Sequence, residues 1–299
     1  MSAIIMDGRE LSAHLMPSLR QNAEELARRG QIPVLAAVLA GDNPASLQYV
    51  RNKRRMAEQL GFGIEMVRLG AEQASTQWLL AIIARLNADP RITGVLLQLP
   101  MPENVDVFRL FDAIDPRKDI DAVGAVNVSG LYRAQASGLI PCTPRGVLTL
   151  IDYYRVPLDG ACAAVIGRSD IAGKPLAIIL GGRLRNATVT WCHRHTRDLA
   201  GICRQADLLV SCVGAELERP FLITADIVKP GACVIDVGFR RIGPGKFAGD
   251  VDFDAVKEVA GWITPNPGGT GPMTVAALMQ NLIDAARRMA GLEPAEYTL

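Results

Sequence analysis

The fold is indicated by residues 34–53, Val34-Leu-Ala-Ala-Val-Leu-Ala-Gly-Asp-Asn-Pro-Ala-Ser-Leu-Gln-Tyr-Val-Arg-Asn-Lys53. The apolar run over 34–40 predicts a buried strand. A turn follows, in which Asn43 can cap a helix and Pro44 suits the first helical position. We therefore predict a strand that leads directly into a helix, which is the repeating element of α/β folds.

Two side chains of the predicted helix, Tyr49 and Lys53, are four residues apart. On a helix this spacing puts both side chains on one face, a turn apart. A desolvated amine beside a phenol can transfer protons, so the pair is a candidate catalytic group. The alternative is a solvated basic face, because Arg51, Arg54 and Arg55 flank the lysine.

Strand and helix signals alternate along the rest of the first half. We predict helices over 9–29 and 75–87 and strands over 64–69 and 94–100, which together favour a parallel sheet with helices on both faces. Gln98 lies at the carboxyl end of the last of these strands, where open α/β sheets bind their ligands. Gln98 is either a strand-end residue whose amide is hydrogen-bonded within the protein, or part of a ligand-binding site.

A second α/β unit is predicted to begin after the boundary segment 141–146. A strand over 161–166 leads into Gly167-Arg-Ser-Asp-Ile-Ala-Gly-Lys-Pro175. A glycine turn between a strand and a helix can present backbone N–H groups and the positive helix end to a phosphate. The glycine spacing differs from the usual dinucleotide fingerprint, so a plain tight turn is the alternative.

The next predicted strand ends in a cluster of basic side chains. About 25 residues after the first loop glycine, where NAD enzymes place an acid on the ribose, the chain has His193, Arg194 and His195. Together with Arg168 they would form a cationic pocket for a 2′-phosphate, which favours NADP over NAD. An exposed basic loop is the alternative.

Further parallel strands are predicted over 187–191, 208–212 and 233–237. The loop 264–274 contains three prolines and three glycines and is predicted to be irregular. A long amphipathic helix over 275–290 is expected to cross back and pack on the first unit.

Composition narrows the function classes. A chain of 299 residues with 49% hydrophobic and 21% charged residues suggests two globular domains. A net charge of +1 and 5% aromatic residues argue against a nucleic-acid surface. No apolar run reaches the roughly 20 residues of a membrane span. Six cysteines without a C-x-x-C pair suggest reduced thiols in a cytosolic protein without zinc, and we see no secretory signal.

Taken together, the motifs resemble the methylenetetrahydrofolate dehydrogenase/cyclohydrolase family, the bifunctional FolD-type enzymes. The matching stretches follow the order of that family over almost the whole chain. They are residues 49–53, 94–102, 118–121, 141–146, 167–175, 229–231, 234–238, 249–253 and 264–274.

The resemblance implies two three-layer α/β domains. Residues 1–143 plus 273–299 would form the catalytic, folate-binding domain, and residues 144–272 a Rossmann-type NADP-binding domain. It also implies a cytoplasmic homodimer with two activities in one cleft. These are oxidation of 5,10-methylenetetrahydrofolate by NADP and hydrolysis of the methenyl product to 10-formyltetrahydrofolate.

The resemblance also implies roles for single residues. Lys53 matches the essential lysine of the family, Tyr49 the tyrosine beside it, and Gln98 the glutamine that contacts it. Asp121 matches the aspartate that anchors the pterin, and folate contacts are expected from Tyr49, Asp121, Gly271 and Pro272. The expected NADP contacts are Gly167, Arg168, Ser169, Ile171, Gly173, His193, Arg194, Gly214 and Thr274.

Three segments depart from the family pattern. After Asp121 the family usually continues Gly-Phe-His or similar, whereas this chain has Ala-Val-Gly-Ala over 122–125. Arg194 takes a position where serine is frequent, and Asn266 and Thr270 stand where valines are common. The first departure leaves open the alternative of a dehydrogenase with lost or altered cyclohydrolase activity. A separate alternative of another class is a non-catalytic folate- or nucleotide-binding paralogue. Retention of the lysine and its neighbours argues against the latter.

Overall fold

The computed structural model describes residues 2–133, 139–214, 220–243 and 246–298. The chain divides into two compact units, which we name after their main sheets. The three-strand unit comprises His14–Cys142 and Val275–Leu299, and the six-strand unit comprises Met1–Ala13 and Thr143–Thr274. Among the described helices, none combines the length and the apolar character that crossing a membrane requires.

The elements alternate between strand and helix along most of the chain. The strands are β1 (Ile4–Ile5), β2 (Val34–Ala40), β3 (Gly63–Leu69), β4 (Gly94–Gln98), β5 (Cys162–Ile166), β6 (Thr188–Cys192), β7 (Leu208–Ser211), β8 (Cys233–Asp236), β9 (Arg240–Gly243), β10 (Lys246–Ala248) and β11 (Trp262–Ile263). The helices are α1 (Gly8–Arg28), α2 (Pro44–Gln59), α3 (Thr76–Ala88), α4 (Val107–Ala113), α5 (Ala125–Tyr132), α6 (Cys142–Tyr153), α7 (Gly173–Leu180), α8 (Leu199–Gln205), α9 (Phe253–Val256) and α10 (Thr270–Met289).

The sheet of the three-strand unit is parallel, with β2 between β3 and β4. Strand β2 is apolar and almost fully buried, as expected for a parallel strand that is covered on both faces. The chain places β3 on one side of β2 and then crosses to its other side for β4. This reversal makes a topological switch point at the carboxyl ends of β2 and β4, where α/β sheets form ligand crevices.

The end of α10 packs on this unit, as the sequence predicted. The Asn281 amide donates to the carbonyls of Ile120 and Ile140, at 2.7 and 2.8 Å. A Cβ on Gly94 would lie 2.9 Å from the Leu282 side chain, so the helix contacts β4 directly. The predicted α/β class, including this returning helix, is therefore confirmed.

The sheet of the six-strand unit has the order β1-β11-β8-β7-β5-β6, and all its pairs are parallel. The chain builds β6 on one side of β5 and then continues on the other side with β7. This arrangement is the Rossmann-type sheet that the resemblance implied, and it makes a second switch point, at the carboxyl ends of β5 and β7.

The structure differs from the sequence analysis at two places. Residues 1–13 belong to the six-strand unit and not to the first unit, because β1 pairs in parallel with β11. The segment 264–274 is not irregular throughout, because α10 already begins at Thr270. Pro272 fits there because the first turn of a helix does not need the missing proline N–H.

A buried lysine donates hydrogen bonds to the carbonyl groups at the C-terminal end of α3. The Lys118 ammonium donates to the carbonyls of Leu86, Asn87 and Asp89, at 3.0, 2.8 and 2.7 Å. The last carbonyls of a helix lack intrahelical partners, and a cation there also interacts favourably with the helix dipole. Desolvation lowers the pKa of Lys118 below its ordinary value. This cation is therefore part of the interior of the unit.

We predict that Lys118→Met destabilises the protein by about 3 kcal/mol, because three carbonyls at a buried helix end lose their donor. Arg117→Met is the matched control, since Arg117 forms an exposed ion pair with Asp115, and such pairs contribute roughly 0–1 kcal/mol. Urea unfolding at constant pH measures both values. Equal midpoints for the two variants would contradict the capping role.

Candidate functional site

The predicted pair Lys53 and Gln98 is in direct contact. The Lys53 ammonium donates to Gln98 Oε1 at 3.1 Å, and the lysine is only 9% exposed. Helical side chains tilt toward the N-terminus of their helix. Lys53 therefore extends back along α2 toward the edge where β4 ends, which is the switch point of the three-strand sheet.

The orientation of Gln98 is fixed by its own backbone neighbour. Its Nε2 donates to the Leu99 carbonyl at 2.8 Å, which leaves Oε1 to face the ammonium. This arrangement is required chemically, because an ammonium group can only donate. Ser46 Oγ donates to the same Leu99 carbonyl at 3.0 Å and joins α2 to the end of β4.

Ser46 was not identified in the sequence analysis, although a signal exists. It precedes Tyr49 by three residues and Lys53 by seven, so all three lie on one face of α2. The predicted cap of this helix is confirmed, since Asn43 Oδ1 accepts from the Ser46 N–H at 3.3 Å. The start of α2 is therefore fixed by both a cap and a tertiary bond.

The hydrogen-bonding capacity of the Lys53 ammonium is only partly used. It has three N–H donors, and within the described part of the chain Gln98 is its acceptor. Tyr49 is half-buried, and burial raises the pKa of its phenol above the ordinary value. The phenol is therefore protonated at neutral pH. The Lys53 ammonium and the Tyr49 phenol can therefore hydrogen-bond to a polar ligand and exchange a proton with it.

Asp121 follows a segment that runs beside β4. The Val95 N–H donates to the Lys118 carbonyl at 2.8 Å, and Val95 pairs in parallel with Asp119. Asp121 is partly buried, and none of the residues that the structure describes donates a hydrogen bond to its carboxylate or pairs it with Lys53. Its carboxylate is thus available to a ligand.

The departing segment 122–125 is held by another acid. The Asp119 carboxylate accepts from Gly124 N at 2.9 Å, Val123 N at 3.3 Å and Asn127 Nδ2 at 2.9 Å. Desolvation raises the pKa of Asp119 above its ordinary value, and these three donors counteract that effect. The segment forms the N-terminal boundary of α5 and is ordered by these bonds.

The glycine loop between β5 and α7 admits no side chain at two positions. Gly167 has φ of +121°, and a Cβ there would lie 2.6 Å from the Cys212 carbonyl oxygen. A Cβ on Gly173 would lie 2.4 Å from the Gly167 oxygen. Both positions therefore require glycine, for conformation at the first and for close approach at both.

The loop presents backbone donors at the second switch point. In the described ranges, the N–H groups of Arg168 and Ser169 donate to no acceptor of the chain. Ser169 Oγ accepts from the Ile171 N–H at 3.3 Å, which shapes the turn before α7. Free N–H groups beside a helix N-terminus are a common cradle for phosphate.

A tight turn after β6 brings the predicted basic residues together. His193 Nδ1 accepts from the His195 N–H at 3.1 Å, and the Arg194 Nε donates to His195 Nε2 at 3.1 Å. Arg168 and Arg194 are both exposed, and the structure, where it describes the chain, shows no ion pair for either guanidinium. This turn can bind an anion.

Gly214, a predicted cofactor contact, uses its own N–H within the chain. Its N–H donates to Asp250 Oδ1 at 3.1 Å, so that donor is already occupied. Asp250 is fully buried, and its Oδ2 also accepts from Ser211 Oγ at 2.7 Å and Val213 N at 2.9 Å. Asp250 thus holds the segment that follows β7.

A second buried acid, Asp236, ends β8. Its carboxylate accepts from the N–H groups of Gly238, Asp250 and Val251, at 2.9, 3.1 and 3.1 Å. Desolvation raises the pKa of Asp236 to about 7, against the opposing effect of these donors. Both acids lie in the family-like segments 234–238 and 249–253, for which no role was predicted. The available signal was an acid at the end of an apolar strand for Asp236 and an acid after a glycine for Asp250.

The remaining predicted residues lie in the first turns of α10. The Thr274 hydroxyl donates to the Thr270 carbonyl at 3.0 Å and contacts the Thr143 hydroxyl at 3.4 Å, so it is engaged within the six-strand unit. Gly271 has open space where its Cβ would lie, and Pro272 is partly exposed. These two positions leave room for a ligand.

Comparison with known proteins gives consistent matches over the whole chain. Residues 6–121 match the catalytic domain of tetrahydrofolate dehydrogenase/cyclohydrolase, and residues 141–290 match its NAD(P)-binding domain. The bifunctional protein FolD of Moorella thermoacetica is 46% identical over 288 residues, which cover 96% of this chain and 100% of that protein.

Two solved structures are similar throughout. The bifunctional FolD of Campylobacter jejuni has a TM-score of 0.90 and 38% identity, covering 96% of this chain and 100% of that one. The FolD of Trypanosoma brucei, solved in complex with NADP cofactor and inhibitor, has a TM-score of 0.91 and 34% identity, covering 97% and 99%. The resemblance found in the sequence is thereby confirmed.

Proposed function

The chain belongs to the tetrahydrofolate dehydrogenase/cyclohydrolase family, and we propose that it catalyses two consecutive reactions of folate one-carbon metabolism. It oxidises 5,10-methylenetetrahydrofolate to 5,10-methenyltetrahydrofolate with NADP, and it hydrolyses the methenyl compound to 10-formyltetrahydrofolate. The observation that carries this proposal is the buried bond between Lys53 and Gln98 at a sheet switch point. We assign folate binding and catalysis mainly to the three-strand unit, and NADP binding to the six-strand unit, which includes residues 1–13.

The residues of the six-strand unit fit a dinucleotide. The loop from Gly167 to Gly173 would hold the phosphates through the N–H groups of Arg168 and Ser169, which donate to no acceptor among the described residues. Arg168, His193 and Arg194 supply the cationic surface that suits a 2′-phosphate. When bound, NADP supplies the hydride acceptor.

For the dehydrogenase reaction, the chain mainly binds and orients. Hydride transfer between two ring systems needs no acid or base at the transferred hydrogen, so positioning supplies much of the acceleration. We assign pterin binding to Asp121, whose carboxylate can accept hydrogen bonds from the ring N–H groups. Tyr49, Gly271 and Pro272 are the further folate contacts that we propose.

The cyclohydrolase reaction requires proton movement at the substrate. Water adds to the methenyl carbon and loses one proton, which leaves a hydroxyl on that carbon. The bond from the carbon to N5 then breaks as N5 takes up a proton and the hydroxyl loses its proton to become the formyl carbonyl, so one proton is released overall. We assign protonation of N5 to the Lys53 ammonium, which Gln98 holds and whose other N–H groups are not used by described side chains; the amine left by that step can accept the hydroxyl proton. Gln98 and Tyr49 orient the lysine and contribute hydrogen bonds.

We further propose that the enzyme is a cytoplasmic homodimer. The six cysteines are free, which suits a reducing compartment. Strand β3 is the edge of its sheet and leaves its outer hydrogen-bonding groups without a neighbouring strand among the described residues. The unpaired N–H and C=O groups of an edge strand can pair with a strand of another chain.

Light scattering after size-exclusion chromatography is expected to give the mass of a dimer. In hydrogen–deuterium exchange, the amides of β3 should be protected more strongly as protein concentration rises, because dimer formation would cover them. A monomer mass at working concentrations would contradict the homodimer. A dimer with β3 protection independent of concentration would contradict this edge as the interface.

Lys53→Met should lower the rate of methenyltetrahydrofolate hydrolysis by roughly 10²- to 10⁴-fold, the usual contribution of a positioned acid–base group. The decay of methenyl absorbance measures this rate. NADP affinity, measured by calorimetry, should stay nearly unchanged. Arg54→Met is the control, because the neighbouring arginine is exposed and pairs only with Glu58 among the described residues. Unchanged hydrolysis in the Lys53 variant would falsify its role.

Arg194→Ala should reduce the preference for NADP over NAD by about tenfold or more, as expected for the loss of charge-assisted hydrogen bonds to a phosphate. The ratio of kcat/KM for the two cofactors is the measured quantity, and the NAD value should not change. Arg197→Ala removes an exposed charge three residues away and serves as control. An unaltered ratio would remove Arg194 from the 2′-phosphate pocket.

A further inference from the structure

An indole outside the predicted cofactor residues contacts the glycine loop. Trp191, in β6, donates its Nε1–H to the carbonyl oxygen of Gly167 at 2.7 Å. The residue is 42% exposed, so this bond is not a by-product of burial in a packed core. Its sole hydrogen-bond donor is therefore directed at the first residue of the loop.

The bond acts on the peptide between Gly167 and Arg168, whose direction is set by ψ of Gly167 and φ of Arg168. Because Gly167 has no Cβ, its backbone restricts that direction less than another residue would. That peptide is trans, and its carbonyl and N–H therefore point in opposite directions. Fixing the carbonyl toward Trp191 fixes the Arg168 N–H toward the other side.

Gly173 adds a second constraint on the same carbonyl. The position of a Cβ on Gly173 would lie 2.4 Å from the Gly167 oxygen, so the oxygen lies close against the start of α7. The alternative peptide orientation would present that oxygen, with its partial negative charge, in place of the N–H. A phosphate would then meet an acceptor instead of a donor.

We infer that Trp191 is a positioning residue for the cofactor, which holds the Gly167–Arg168 peptide with its N–H directed at the phosphates. The inference rests on the proposed NADP function. Trp191 would affect binding of the phosphates that NADP and NAD share, whereas Arg194 would bind the 2′-phosphate, which only NADP has. The two residues therefore have separable effects.

The test compares calorimetric affinities for NADP and for NAD in the full-length protein. Trp191→Phe keeps an aromatic ring and removes the donor, and replacement of Trp191 by benzothienylalanine keeps the two-ring shape and removes only the N–H. Both variants should bind NADP and NAD about three- to tenfold more weakly, by the same factor, as expected for one lost hydrogen bond. The melting temperature, the KM for methylenetetrahydrofolate and kcat at saturating NADP should not change. Trp78→Phe, an exposed tryptophan of the other unit, is the control.

Several results would overturn the inference. Unchanged affinities in Trp191→Phe, or wild-type affinity with benzothienylalanine, would show that the N–H is not needed. A loss confined to NADP would place Trp191 in the 2′-phosphate pocket, and a loss accompanied by a lower melting temperature would indicate a structural role. Failure of the wild-type protein to bind NADP would instead overturn the proposed function, and this inference with it.

Discussion

Burial of charged side chains is the constraint on which the geometry of both units depends. A charge that leaves water costs several kcal/mol unless hydrogen bonds replace its hydration. Lys118 and Lys53 are buried to a similar extent, yet they meet this requirement differently. Lys118 uses all three donors on the end of α3, whereas Lys53 has one acceptor among the described residues. Lys118 therefore stabilises the fold, whereas Lys53 retains N–H donors that can bind a ligand.

The aspartates divide in the same way. Asp119, Asp236 and Asp250 each accept three or more hydrogen bonds, and each of them holds a loop that follows or precedes a strand or helix. Asp121 accepts none from the described residues. The three aspartates whose oxygens accept hydrogen bonds stabilise loops of the fold. Asp121, whose oxygens accept none from the described residues, is the one that can bind a ligand. The number of hydrogen-bond partners of each charged side chain therefore distinguishes structural residues from candidate functional residues better than burial alone does.

The sequence predicted those features that local patterns determine. The apolar run of β2 and the position of Gln98 at a strand end were predicted from local patterns, whereas the contact between Lys53 and Gln98 was implied by the resemblance to the family. The burial of Lys118 was not predictable in this way, because a run of charges normally indicates a solvated loop, and only the tertiary position of α3 gives the lysine its acceptors. The two-residue strand β1 carries no periodic signal, so its pairing with β11 could not be foreseen. The bond of Trp191 depends on the direction of one carbonyl, which no sequence pattern encodes.

The departing segment 122–125 is ordered by contacts that are separate from those of Lys53. The aromatic and imidazole groups usual in the family are absent there, but Asp119 orders the segment through Val123, Gly124 and Asn127. None of these bonds involves Lys53 or Gln98, whose orientation depends on Leu99 and Ser46. The departure therefore leaves the hydrogen bonds of Lys53 and Gln98 unchanged, because the residues that make them lie on α2 and at the end of β4 and do not include this segment. Under the proposed function, its effect is expected on folate affinity and not on proton transfer.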